Sequence, residues 1–175
     1  MIVGMTPLPA PLGSGDLILW RLDQAKFAPT WDSGEGSYLA GGRWSSRGVR
    51  AVYAALDPAT AILEVAVHKT FKALDTVPHV LTAARIADAS QARVVTAADV
   101  PNPNWLRPGA PGARQQAFGD VLLKAYPFVL IPSVVSVHSW NVIFQPAAAK
   151  VFYRSVAQEP FALDTRLHPP TTAGA

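Results

Sequence analysis

Glu64 is the one ionisable residue in the run Ala59–Val67, which is otherwise apolar or Thr. On a helix of about 3.6 residues per turn its face carries Thr60, Ala61, Val67, His68 and Phe71, which is not a charged, solvated face. A carboxylate in that company is either desolvated or held by a partner, and such groups gather at active sites. The pattern fits equally well an exposed glutamate beside His68, one turn on. A second feature is the basic group Arg43, Arg47 and Arg50, set among Gly34, Gly36, Gly41, Gly42 and Gly48. Three arginines there describe either a solvated loop or a cradle for a small anion such as a pyrophosphate, because planar guanidinium groups suit phosphate oxygens.

Standard catalytic motifs are mostly missing. The chain has no Gly-x-Ser-x-Gly elbow and no Gly-x-x-x-x-Gly-Lys-Ser/Thr loop, and the Gly34-x-Gly36 start of a dinucleotide fingerprint fails at Leu39. Ser133 and His138 have the types of a nucleophile and its base. Five residues apart on a strand-like run, however, they point to opposite faces, so a core or surface role suits the histidine better. His68, His79, His138 and His168 are too far apart for helical metal spacing, and with no cysteine in the chain no metal site is expected.

These residues must be positioned by the elements around them. Leu17–Leu22 and Val49–Leu56 read as strands, and residues 32–48 as a glycine-rich loop. Asp57 is a good N-cap, Pro58 falls at the first helical position, and a helix follows with Lys69 and Lys72 near its far end. Further strands are expected at His79–Ile86, Phe128–Pro132, Trp140–Phe144 and roughly Val151–Val156, with a helix over Arg114–Ala125. The stretch 99–113, with four prolines, is a long loop of the kind that often carries function. Strands outnumber helices without strict alternation, which indicates α+β: one compact domain with a mixed or antiparallel sheet and flanking helices. Residues 1–15 and 168–175 read as tails around a domain at 16–167.

The composition is consistent with this. Of 175 residues, 50% are hydrophobic and 15% charged, which excludes a disordered chain. No apolar run reaches membrane-spanning length, and Met1–Ser14 lacks a basic start and is broken by Pro7, Pro9 and Pro11, so no signal peptide or membrane is expected and a cytoplasmic location is. Fifteen Lys and Arg against 12 Asp and Glu give only +3, with the basic residues scattered, and no direct nucleic-acid binding is expected.

Five segments in order carry a family resemblance: Leu19-Trp20-Arg21; Gly41-Gly42-Arg43-Trp44-Ser45-Ser46-Arg47-Gly48; Val52-Tyr53-Ala54; Leu63-Glu64-Val65-Ala66-Val67-His68; and Ile131-Pro132-Ser133-Val134-Val135 with Trp140-Asn141. Over about residues 17–165 the chain resembles the RES domain family, named for an Arg, a Glu and a Ser. The resemblance implies a fold related to ADP-ribosyltransferases. It also implies a toxin of a bacterial type II toxin–antitoxin pair that depletes NAD by hydrolysis or phosphorolysis of the nicotinamide–ribose bond, or alternatively one that ADP-ribosylates a protein. It implies an Xre-like helix-turn-helix antitoxin as partner and NAD as substrate, with no cofactor. By position Arg43, Glu64 and Ser133 match the name-giving residues, Tyr53 an active-site tyrosine and Arg21 a first-strand arginine at the site. Ser45 and Arg47 stand where the family has Asn and Pro, and Gln145-Pro146 where it has Asn-Pro.

Cleavage of that bond expels a neutral leaving group through an oxocarbenium-like transition state, so one carboxylate can serve where glycosidases use two. Glu64 would stabilise the ribosyl cation and hold a ribose hydroxyl or orient water. Arg43 and Arg21 would hold the pyrophosphate. Tyr53 would stack on nicotinamide or the ribose edge, although a core aromatic there is equally ordinary. Ser133 would hydrogen-bond the ribose, or simply cap its strand, and Asn141 would support it. The remaining alternative is a non-catalytic module binding a nucleotide or nucleic acid through the arginine-rich loop.

Overall fold

The computed structural model of the chain describes residues 17–167, so the two expected tails lie outside the described residues. Seven strands make one mixed sheet: β1 Leu17–Gln24, β2 Val52–Ala55, β3 His79–Ile86, β4 Ala92–Val94, β5 Phe128–Pro132, β6 Trp140–Phe144 and β7 Tyr153–Phe161. Their order is β4-β5-β6-β2-β1-β3-β7, and only β4 and β5 run parallel. The helices are α1 Glu35–Ala40, α2 Pro58–Thr76, α3 Ala113–Ala125 and α4 Pro146–Ala149. The architecture is α+β, as expected. No described helix is long and apolar enough to cross a membrane.

Side-chain alternation sorts the sheet into two faces. Leu17, Leu19, Val52, Ala54, Phe128, Leu130, Trp140, Val142 and Phe144 form a core on one face, closed by Trp31 and Ala149. Trp31 meets Phe144 and Tyr153 edge-on at centroid distances of 6.2 and 5.3 Å. On the other face α2 sets Ala66 and Leu74 against Leu22 and Leu81, with Trp20 beside them. There α3 sets Leu123 against Val129, Ile131 and Ile143. A row crosses this second face through Trp20, Ala55, Asn141 and Ile131, paired neighbour to neighbour. Strands β1 and β2 share one partner pair, Trp20 with Ala55, whereas β1 and β3 pair along their whole length.

Several expected boundaries move. The strand expected over Val49–Leu56 is reduced to Val52–Ala55 because the backbone before it is taken by a buried serine of α1: Ser37 Oγ accepts the Ala51 N–H at 2.6 Å. That same α1 lies within the expected glycine-rich loop. Helix α2 runs past Val67 to Thr76, through a break at Thr70 (φ 65°, ψ 153°), so Lys69 precedes the break and neither lysine occupies the last turn. Strand β4 was not expected, being three residues long. Strand β7 begins at Tyr153 because Ala149–Phe152 closes a turn, with Phe152 N–H bonded to Ala149 O at 2.8 Å. It continues to Phe161 by pairing with β3, and Pro160 is tolerated because β7 is an edge strand.

Candidate active site

The placement of Glu64 begins with a cap. Asp57 accepts the Thr60 N–H at 2.8 Å and the Thr60 hydroxyl at 2.6 Å, and Pro58 at the helix start has no N–H to leave unpaired. Helix α2 therefore starts directly after β2 and folds back over the face that carries Asn141. Of the face expected around Glu64, Thr60 and Ala61 are buried while Val67 and His68 are exposed. Glu64 lies at the transition, half-buried, and its hydrogen bonds go to Ser133 and Asn141 instead of His68.

What holds Glu64 is the end of β5 and the start of β6. Its Oε1 accepts the Ser133 hydroxyl at 2.9 Å and the Asn141 side-chain amide at 2.6 Å. Ser133, 2% exposed, also accepts the Ser136 N–H at 3.1 Å, so it caps the turn after its strand and binds the carboxylate at once. Its own N–H bonds Ser139 O at 2.9 Å, closing the turn. His138 stands exposed in this turn, in the surface role. Both donors to Glu64 are neutral and both meet the same oxygen, which leaves Oε2 uncommitted; no cation pairs with this carboxylate among the described residues. Asn141 Oδ1 is buried without a partner.

The other proposed residues form a second group, joined through Tyr53. The Tyr53 hydroxyl accepts the Trp44 N–H at 3.0 Å and shares a hydrogen bond of 2.9 Å with Ser45 Oγ. Burial, reinforced by the charge of Asp120, pushes its pKa up to about 12 against the opposing pull of the Ser45 and Trp44 bonds and of Arg43. Arg21 forks onto Asp23, with Nε at 2.5 Å and its neighbouring amino group at 3.0 Å, and donates its remaining terminus to Tyr53 O at 2.6 Å. Alternation places Arg21 opposite Trp20, away from α2.

Arg43 reaches the long loop at 99–113. It donates to Gly109 O at 2.8 Å and, more weakly, to Arg107 O at 3.4 Å and Trp105 O at 3.5 Å. The structure therefore brings Glu64, Ser133 and Asn141 into direct contact and links Arg21, Tyr53 and the Arg43 loop to one another. Neither arginine touches Glu64. Both guanidinium groups are engaged within the chain.

Sequence reasoning missed the residues that hold the Arg43 loop: Ser45, Gln116, Gly119 and Asp120. Gly119 carried a usable signal, since a glycine inside a helix often marks a close backbone approach. A Cβ there would lie 2.0 Å from Trp44 O.

Comparison with known proteins identifies the family and the fold. The RES domain matches residues 18–166. The chain is 31% identical over 156 residues to a protein of Photorhabdus laumondii named Toxin Res, covering 86% of this chain and 97% of that protein. It is 32% identical over 138 residues to the Prs ADP-ribosylating toxin of Sphingobium sp., covering 73% and 81%. In fold it is similar to a chain in the crystal structure of the M. tuberculosis MbcT–MbcA toxin–antitoxin complex, with a TM-score of 0.61 at 17% identity over 83% of this chain and 85% of that one.

Proposed function

The chain belongs to the RES domain family, and from that premise we propose that it is the toxin of a toxin–antitoxin pair and that it consumes NAD by breaking the nicotinamide–ribose bond. The observation that carries the reading is the Glu64 carboxylate, oriented by Ser133 and Asn141 and unpaired with any described cation. Neutral donors fix its direction without cancelling its charge. That charge is then available to a ribosyl cation as nicotinamide departs with the bonding electron pair. Oε2 of Glu64 is an acceptor for which a ribose hydroxyl is a matching donor. In hydrolysis, water adds to the ribose carbon and loses a proton, giving ADP-ribose and nicotinamide.

Arg43 is the proposed pyrophosphate ligand. Its carbonyl contacts use its two terminal amino groups and leave Nε–H and one terminal hydrogen as donors for a phosphate. Arg21, committed to Asp23 and Tyr53 O, fits a role in fixing Tyr53 better than one on the phosphate. The relative named an ADP-ribosylating toxin favours a second reading, in which a protein side chain takes the place of water. The partner under either reading is an antitoxin of the helix-turn-helix type.

Incubation with NAD labelled in its adenylate half tests both. Free labelled ADP-ribose marks hydrolysis, whereas label retained on protein marks transfer. Glu64→Gln, which keeps the volume and loses the charge, is expected to lower nicotinamide release by about 100-fold or more. Unchanged release from that folded variant would remove Glu64 from the mechanism.

A further inference from the structure

Helix α3 supplies no residue to the proposed reaction, yet its first two turns touch both segments that meet at Arg43. On the side of the glycine-rich loop, Gln116 Nε2 donates to Gly42 O at 2.9 Å and Asp120 Oδ1 accepts the Ser46 N–H at 2.9 Å. Between these two bonds Gly119 lets the Trp44 carbonyl come to where a side chain would otherwise stand. On the side of the long loop, Gln115, 2% exposed, donates to Trp105 O at 3.3 Å, the same carbonyl that meets Arg43. Phe118 bridges the two, with its ring centroid 6.2 Å from that of Trp44 and 5.9 Å from that of Trp105. Residues 116, 119 and 120 share one helix face by their spacing. Opposite α3, the turn is held by the Tyr53 hydroxyl, which occupies the space a Cβ on Gly42 would need, 2.4 Å away.

We propose that Gln116 and Asp120 are positioning residues for the proposed NAD site: they clamp the Gly41–Ser46 turn against Tyr53 and so set where the Arg43 guanidinium points. This rests on the reading of Arg43 as the pyrophosphate ligand. The physical reason is that a flexible loop would lose conformational freedom each time it bound the ligand, whereas a loop already bonded at both ends loses little. The clamp acts through two backbone groups, Gly42 O and Ser46 N–H, so it depends on the hydrogen-bonding atoms of α3 and not on the charge of Asp120.

That distinction supplies the test. Asp120→Ala removes the acceptor, whereas Asp120→Asn keeps an oxygen at the same place and discards the charge. Steady-state NAD consumption and amide hydrogen exchange of residues 41–48 are measured for both variants and for the parent chain. The expected result is a KM for NAD raised about tenfold in Asp120→Ala with kcat within about twofold, faster exchange at Ser46, and recovery of both in Asp120→Asn. Gln116→Ala, which frees Gly42 O and keeps Asp120, is expected to move KM in the same direction. A normal KM and unchanged exchange in Asp120→Ala, beside a parent chain that consumes NAD, would overturn the clamp alone. A fall in kcat at constant KM would overturn it too, since that signature belongs to a group acting in the transition state. A parent chain that leaves NAD intact would overturn the reading on which the clamp rests.

Discussion

Tyr53 joins Arg21 to the Arg43 loop, and its titration can be read separately from activity. Its phenol is buried and sits near the Asp120 carboxylate, so the charged form is disfavoured and the pKa lies near 12 instead of 10.0. Because the folded value exceeds the unfolded one, the native state favours the neutral phenol. The stabilisation is complete below about pH 10 and is lost as pH rises through about 12. Ultraviolet titration of the parent chain minus that of Tyr53→Phe should give a single phenol with a midpoint near 12. A midpoint at the ordinary value would mean that the hydroxyl is not enclosed by the Trp44–Ser45 turn. At neutral pH the group is a neutral donor and acceptor that secures the loop, and nothing in its contacts makes it a base.

Helix α2 carries Glu64 in its first half and a break in its second. Thr70 holds φ 65° and ψ 153°, a conformation that is nearly confined to glycine and strained for a β-branched residue. The first half, capped by Asp57, is thereby decoupled from the second, whose Leu74 is 2% exposed in the core. Thr70→Gly should relieve the strain and return part of the gain through the entropy of the unfolded chain. The net expectation is about 1 kcal/mol of added stability, or roughly 2–4 °C in Tm by thermal denaturation. A lower Tm would mean that Thr70 is not strained where it stands. NAD consumption should persist, because the Asp57 cap and the Glu64 contacts lie on the other side of the break.

For the molecule as a whole, the proposed function makes a prediction in cells. Induction of this chain should deplete NAD and arrest growth, while induction of the Glu64→Ala form should do neither. Co-expression of an adjacent helix-turn-helix protein should restore growth. Cellular NAD and colony counts read the outcome, and growth arrest with undiminished NAD would favour transfer to a protein over bulk hydrolysis. The sheet order explains why one chain can build the site. Central β6 puts Asn141 between Ala55 of β2 and Ile131 of β5, so residues 64, 133 and 141 converge although they lie up to 77 residues apart.

Local chemistry was sufficient for several elements but not for α1, β4 or the bounds of β2 and β7. The Asp57–Pro58 start was legible because a cap needs only its neighbours, and His79–Ile86, Phe128–Pro132 and Trp140–Phe144 appear with the expected bounds because apolar runs of that length must be buried strands. Glu64 stood out as an acid in apolar company, and the family's motifs put Arg43, Tyr53, Ser133 and Asn141 beside it in order. What the sequence left open was which of two ordinary roles each residue fills. Glu64 is neither sunk nor solvated but half-buried under Ser133 and Asn141, 69 and 77 residues away along the chain. Arg43 faces backbone carbonyls and not the acid, Arg21 serves Tyr53, and Gln116 and Asp120 matter only because α3 lies against a distant turn. Contacts across such separations depend on strand order and on how closely two backbones approach, and neither is encoded in any local window of residues.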